Sequence, residues 1–177
     1  MYALGSVTRG TDAAVDFLLA QSESDNIWVK RAALVSLGTI ARQPERVVPR
    51  LIRALNDYEE PDPDSLYNGR HEVVTDTLRA FGDAAGAAVP ALIERIEEGM
   101  TQTKNADGTV AQTREIDPGV VSALVTIGEP AIAALPTLER YAGEPHSEEH
   151  QAASYTPLKR AIATLRKLAA AREQASK

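Results

Sequence analysis

The chain has no cysteine, three histidines, two phenylalanines and one tryptophan. Without cysteine there is no disulfide framework and no thiolate metal site, and the redox compartment is left open. Aromatic residues make up 5% of the chain against a hydrophobic fraction of 44%, so any core must be assembled from Ala, Val, Leu and Ile. Small side chains let helices approach one another closely. There is no run of 18 or more apolar residues, and the N-terminus lacks a basic-then-apolar signal, so a soluble, cytoplasmic chain is expected. A formal net charge of −6 argues against a general nucleic-acid binder. With few histidines and no cysteine, no nucleophile–base pairing suggests itself, and no catalytic, cofactor or metal site is expected. At 177 residues, one compact domain spanning 1–177 is the default.

What is present is a repeated unit, clearest from Val29 to Leu55. Val29, Ala33, Leu37 and Ile40 share one helical face, Trp28, Ala32 and Val35 make a second apolar strip, and Leu34 adds a third side. A helix that is apolar on several sides needs neighbours on several sides. After a polar turn at Gln43-Pro44, Val48, Leu51, Ile52 and Leu55 follow the i, i+3, i+4, i+7 template, with Pro49 expected in the first turn. The unit reads as an antiparallel helix pair.

The pattern returns along the chain. Leu37-Gly38 matches Leu4-Gly5, Phe81-Gly82 and Ile127-Gly128, with successive glycines 33, 44 and 46 residues apart. Val48-Pro49-x-Leu51 matches Val89-Pro90-x-Leu92 and Leu135-Pro136-x-Leu138, and more loosely Val15-Asp16-x-Leu18. The glycine-to-proline distance is 11 residues from Gly38 but 8 from Gly82 and Gly128. Self-similarity near this period signals stacked helix pairs. The runs LGTIARQPERVVPRLIRALND, FGDAAGAAVPALIERIEEG and IGEPAIAALPTLERYAGEP resemble HEAT repeats of the short bacterial and archaeal style. The resemblance covers roughly residues 2–143. It implies an all-α fold: an α-solenoid of stacked antiparallel helix pairs, about four repeats plus a C-terminal capping helix over about 157–173. Glu139 departs from the pattern, sitting where Ile52 and Ile93 sit in earlier units.

Several stretches are candidate sites. Arg46, Arg50 and Arg53 lie along one face of a second helix, and in HEAT-like folds second helices line the concave surface. The aligned positions, Ala13, Phe17 and Ala20, then Ala87, Ala91 and Glu94, then Ala133, Thr137 and Arg140, do not continue a basic track, so the stripe is local to one repeat. An insertion over about 57–70, DYEEPDPDSLYNGR, is acidic but lacks the order of a calcium loop; Tyr58 and Tyr67 make it a contact candidate. A second insertion, over about 100–116, carries Lys104 and Asp107-Gly108 and reads as a mobile loop in preference to a hairpin. His146-Ser147-Glu148-Glu149-His150 has the H-x-x-E-H order of a zinc site, but with no third ligand in view a polar linker is the simpler reading. Residues 151–177 hold six basic and one acidic side chain, a net +5, leaving −11 elsewhere. That stretch reads as an amphipathic helix that closes the stack, apolar side inward.

These readings converge on a non-catalytic scaffold that binds a protein partner through its concave face or its insertions. The candidate contacts are Arg46, Arg50, Arg53, Tyr58, Tyr67, Lys104 and Asp107. Self-association through the N-terminal half-repeat, where Val15, Phe17, Leu18 and Leu19 leave apolar surface under-covered, is a further option. The resemblance also allows a component of a lyase system or a nucleic-acid-associated protein using the basic C-terminal helix. Small-molecule substrates and membranes are not indicated.

Overall fold

The computed structural model describes residues 11–56, 70–99, 103–104, 110–111, 116–143 and 151–176. These are helical apart from one short antiparallel ladder. They fall into two compact units, Met1–Ala88 and Val89–Lys177.

In the first unit α1 is Asp12–Gln21, α2 is Ile27–Ile40, α3 is Pro44–Asn56 and α4 is Arg70–Phe81, followed by a 3₁₀ turn over Gly82–Ala88. Each start has a local chemical cause. Thr11 caps α1 by accepting from the Ala14 amide (3.3 Å), and Asn26 caps α2 by accepting from the Trp28 and Val29 amides (3.0 and 3.3 Å). α2 packs on both α1 and α4, and α3 packs on α4 and the 3₁₀ turn. The buried residues of α2 are Ala33, Leu34, Ser36 and Leu37. The second apolar strip of that helix is largely uncovered: Trp28 is 66% exposed and Ala32 and Val35 are half-buried. Val73, Val74, Thr77, Leu78 and Phe81 of α4 are all buried, as their spacing predicts.

The second unit contains α5 (Val89–Gly99), the ladder of β1 (Thr103–Lys104) with β2 (Val110–Ala111), α6 (Pro118–Ile127), a 3₁₀ turn over Glu129–Ala134, α7 (Leu135–Gly143) and α8 (Gln151–Ala175). Asp117 caps α6, accepting from the Gly119 amide at 2.7 Å, with Pro118 as first helical residue. α5 packs on α6, the turn and α7, while α8 packs on α6, the turn and α7. Leu158, Ala161, Ile162 and Leu165 are the buried side of α8, and Lys159, Arg160, Arg166 and Lys167 face outward. Glu139 has its reason here: its carboxylate accepts from Arg166 Nε of α8 at 2.8 Å, so a hydrophobe is replaced by an ion pair to the neighbouring helix.

Three expectations need correcting. The 100–116 insertion is not a plain loop: Thr103 pairs with Ala111 and Lys104 with Val110 in an antiparallel register. Arg70 opens α4, and Ile116 is buried with its amide donating to the Tyr141 hydroxyl at 3.0 Å. The last helix begins at Gln151, so Pro157 lies inside it. Pro49 likewise lies inside α3 rather than in its first turn, whereas Pro90 and Pro136 are the second residues of α5 and α7.

That last difference explains the unequal glycine-to-proline distances. Gly82 and Gly128 follow the last residue of their helices with φ of 54° and 77°, and the chain then runs through a 3₁₀ turn straight into the next helix. Ala85 with Ala88, and Ala131 with Ala134, are buried at the spacing of three that such a turn requires. Gly38 is instead inside α2, which continues to Ile40; the chain reverses through Ala41 (φ 46°) and Gln43 (φ 53°). A methyl group on Gly38 would lie 3.2–3.3 Å from Thr77 of α4. Thr77 Oγ1, in turn, has the Val73 carbonyl at 2.7 Å and, across the helix contact, the Leu34 carbonyl at 3.2 Å. The glycines matched by sequence therefore do different jobs, one of close approach and two of chain reversal.

Two substitutions separate these jobs. Gly128→Ala meets no neighbour but is forced to positive φ, with an expected cost of about 1–3 kcal/mol. Gly38→Leu keeps an ordinary helical backbone but forces α2 off α4, with an expected cost of roughly 1–3 kcal/mol or more. Urea denaturation followed by far-UV circular dichroism measures both.

Candidate functional site

The arginines singled out in the sequence sit on α3. Val47, Val48, Leu51 and Leu55 turn one side of this helix into the core, which places Arg46, Arg50 and Arg53 along the side that meets α1. Each is answered there. Arg46 Nη2 pairs with Asp16 Oδ1 and its Nη1 donates to Gln43 Oε1 at 2.7 Å. Gln43 Nε2 in turn donates to Asp12 Oδ1 at 2.6 Å. Arg53 Nη2 lies 3.3 Å from Glu23 Oε1.

Arg50 differs from the other two. It is 4% exposed, its Nε donates to Ser22 Oγ at 2.9 Å, its Nη2 donates to the Ser22 carbonyl, and Glu23 Oε1 lies 3.7 Å from Nε. The guanidinium closes the C-terminal end of α1, where backbone carbonyls lack helix partners and a positive charge is favoured. Burying it costs solvation, and these hydrogen bonds offset that cost. As a member of an open basic stripe Arg50 is therefore corrected: it points into the protein, held by Ser22 and Glu23, which composition and periodicity did not mark as its partners. Arg46 and Arg53 remain at the surface, but as halves of ion pairs.

The same positions are used again in the second unit. Aligning Val15-Asp16, Val48-Pro49, Val89-Pro90 and Leu135-Pro136 puts Glu23 with Glu97 and Arg53 with Arg140. Arg140 Nη2 donates to Glu97 Oε1 at 2.9 Å, and the Thr137 hydroxyl reaches the same oxygen at 3.4 Å. Arg50 aligns with Ala91 (7% exposed) and Thr137 (9%), both of them buried. Phe17 occupies the same position on α1 and is 44% exposed. The recurrence of an acid and an arginine at matched places was available in the sequence; reading it required knowing that second helices lie side by side.

The arrangement neutralises charge and ties helices together. Arg166–Glu139 at 2.8 Å and Arg172–Glu129 at 3.4 Å extend it to α8. Among the described residues no group of three or more His, Asp or Glu could hold a metal ion. Tyr58, Tyr67 and Asp107 lie outside the described residues, as does the His146–His150 stretch. Lys104 is placed only by its backbone, in β1. No described helix is long and apolar enough to cross a membrane.

Two substitutions distinguish surface pair from buried lock. Arg46→Ala should change stability by less than about 1 kcal/mol, because exposed pairs contribute little. Arg50→Ala leaves the Ser22 groups without their donor and should cost about 2–3 kcal/mol, read from the shift of the urea midpoint.

Residues 29–57, which span α2 and α3, match the family model described as PBS lyase HEAT-like repeat. No curated protein and no solved structure matches the chain.

Proposed function

With a HEAT-like repeat at residues 29–57 as the premise, we propose that this chain is a non-catalytic protein–protein interaction scaffold. Its architecture in this reading is a solenoid of about four stacked helix pairs closed by α8. One observation carries it: matched positions on neighbouring second helices are joined by the same chemistry in both units, Arg53 to Glu23 and Arg140 to Glu97. A chain that repeats a helix-to-helix joint is building an extended surface, and extended surfaces of repeat proteins serve to hold partners. That surface carries charges already paired, so a protein with mixed polar and apolar contacts suits it better than a polyanion does. The pairing of Arg166 and Arg172 of α8 with carboxylates of the same chain weighs against the nucleic-acid alternative. The word lyase in the family description names a relative's chemistry; the side chains singled out on α3 are engaged in structural pairs.

The partner contacts in this reading are the exposed pairs of Arg46 and Arg53 together with the insertions that carry Tyr58, Tyr67, Lys104 and Asp107. Capture from cell extract with the immobilised chain should retain a stoichiometric protein. Replacing residues 101–115 by a short Gly-Ser link should lose it while the helical signal is kept. Retention of the same protein by the shortened chain would remove that insertion as the docking element.

Self-association is the second reading, favoured by Phe17. Ala13, Phe17 and Ala20 are exposed at the positions that Arg46, Arg50 and Arg53 use to meet a preceding helix, and none of them bears a charge. A second copy can present the same uncharged strip. Sedimentation equilibrium should show concentration-dependent dimers that Phe17→Ser weakens by roughly tenfold or more, about 1.4 kcal/mol. A monomer at all concentrations would end this reading and leave the scaffold reading standing.

A further inference from the structure

We propose that Arg50 sets the register in which α3 seats against α1, selecting one alignment among several that the apolar contacts and exposed pairs would accept. This goes beyond the scaffold reading and does not rest on it. The helices run in the same direction, since Arg46, Arg50 and Arg53 meet Asp16, Ser22 and Glu23 in order. The exposed pair of Arg46 does not define a unique register. Asp12 and Asp16 stand one turn apart on the same face, so Arg46 moved by one turn would still find a carboxylate. Apolar positions repeat with the same helical period, and a hydrophobic contact has no direction of its own.

Arg50 is specific where these are degenerate. Its buried guanidinium needs acceptors, and Ser22 and Glu23 at the end of α1 supply them. One turn back, Leu18 and Leu19 carry only hydrocarbon side chains. Their carbonyls are already in use, by the Ser22 amide (2.8 Å) and the Ser22 hydroxyl (2.7 Å) respectively. A slip of one turn would strand a buried cation against saturated groups, which is far more costly than losing an exposed pair. In the second unit the matched position is Thr137, and register there is shared with Arg140 through Glu97. The buried arginine is thus a device particular to the α1–α3 contact.

The absence of native cysteine makes the test direct. Nitroxide labels at Ala13→Cys and Asn56→Cys, both at exposed positions, report the axial offset of α1 and α3 by pulsed dipolar spectroscopy. With Arg50 present a single narrow distance is expected. Arg50→Met keeps the hydrocarbon stem and removes the directional donors; it should give a second population displaced by about 5 Å, one helical turn. Ser22→Ala, which keeps Arg50 but deletes one acceptor, should broaden the distribution in the same sense. An unchanged narrow distance in Arg50→Met overturns the proposal. So does loss of the helical signal in Arg50→Met, which would show Arg50 holding the fold together rather than choosing among alignments.

Discussion

At Gly38 the backbone of α2 comes so close to Thr77 of α4 that a single added methyl group would press on it. Most of what surrounds this contact follows from the need for such closeness. The chain has few aromatic side chains, so its core is filled by many small and medium hydrophobes, and these bury well only when helix axes are near. Ala33, Leu37, Leu78 and Leu51 are completely buried on that condition. The alanine-rich 3₁₀ turns serve the same end: Ala85, Ala88, Ala131 and Ala134 are fully buried, and larger side chains there would lift one helix off the next.

Close seating leaves a rim where charged side chains from successive helices meet. Within each unit the acids and arginines stand in matched sequence positions, Arg53 with Glu23 in the first and Arg140 with Glu97 in the second. Exposed pairs of this kind contribute little individually. Their regular recurrence records a shared mode of packing more than a source of stability. Arg50 is the exception because it is buried, where direction and number of acceptors matter and water cannot substitute.

The sequence pattern was most legible where period and burial coincide. Val73, Val74, Thr77, Leu78 and Phe81, and likewise Val120, Val121, Leu124 and Ile127, are buried as their spacing required. Caps act over a few residues of chain, as Thr11 and Asp117 do in accepting from the Ala14 and Gly119 amides. Reading failed where one motif serves two geometries. Leu-Gly at 37–38 and at Ile127-Gly128 look alike, yet one glycine allows contact and the other allows positive φ. Pro49 and Pro90 share a motif, yet only Pro90 is in a first turn, because α2 runs on past its glycine and the next helix starts earlier relative to its proline.

By itself the sequence determined that the described elements other than the β1–β2 ladder are helices, where most of them begin, and which of their faces are apolar, because hydrogen bonding, capping and side-chain period act within a few residues. It also determined that units recur, since a repeated packing problem has a repeated solution in residue type. Only the tertiary structure decided that Arg50 turns inward, that Glu139 answers Arg166, that Trp28 is left exposed, and that Val15 and Leu18, expected beside Phe17 at an under-covered surface, are buried. Those outcomes depend on what stands opposite each side chain, and the opposing group comes from another helix, some 20 to 30 residues away in the cases of Arg50 and Glu139. Local pattern carries no term for that distance.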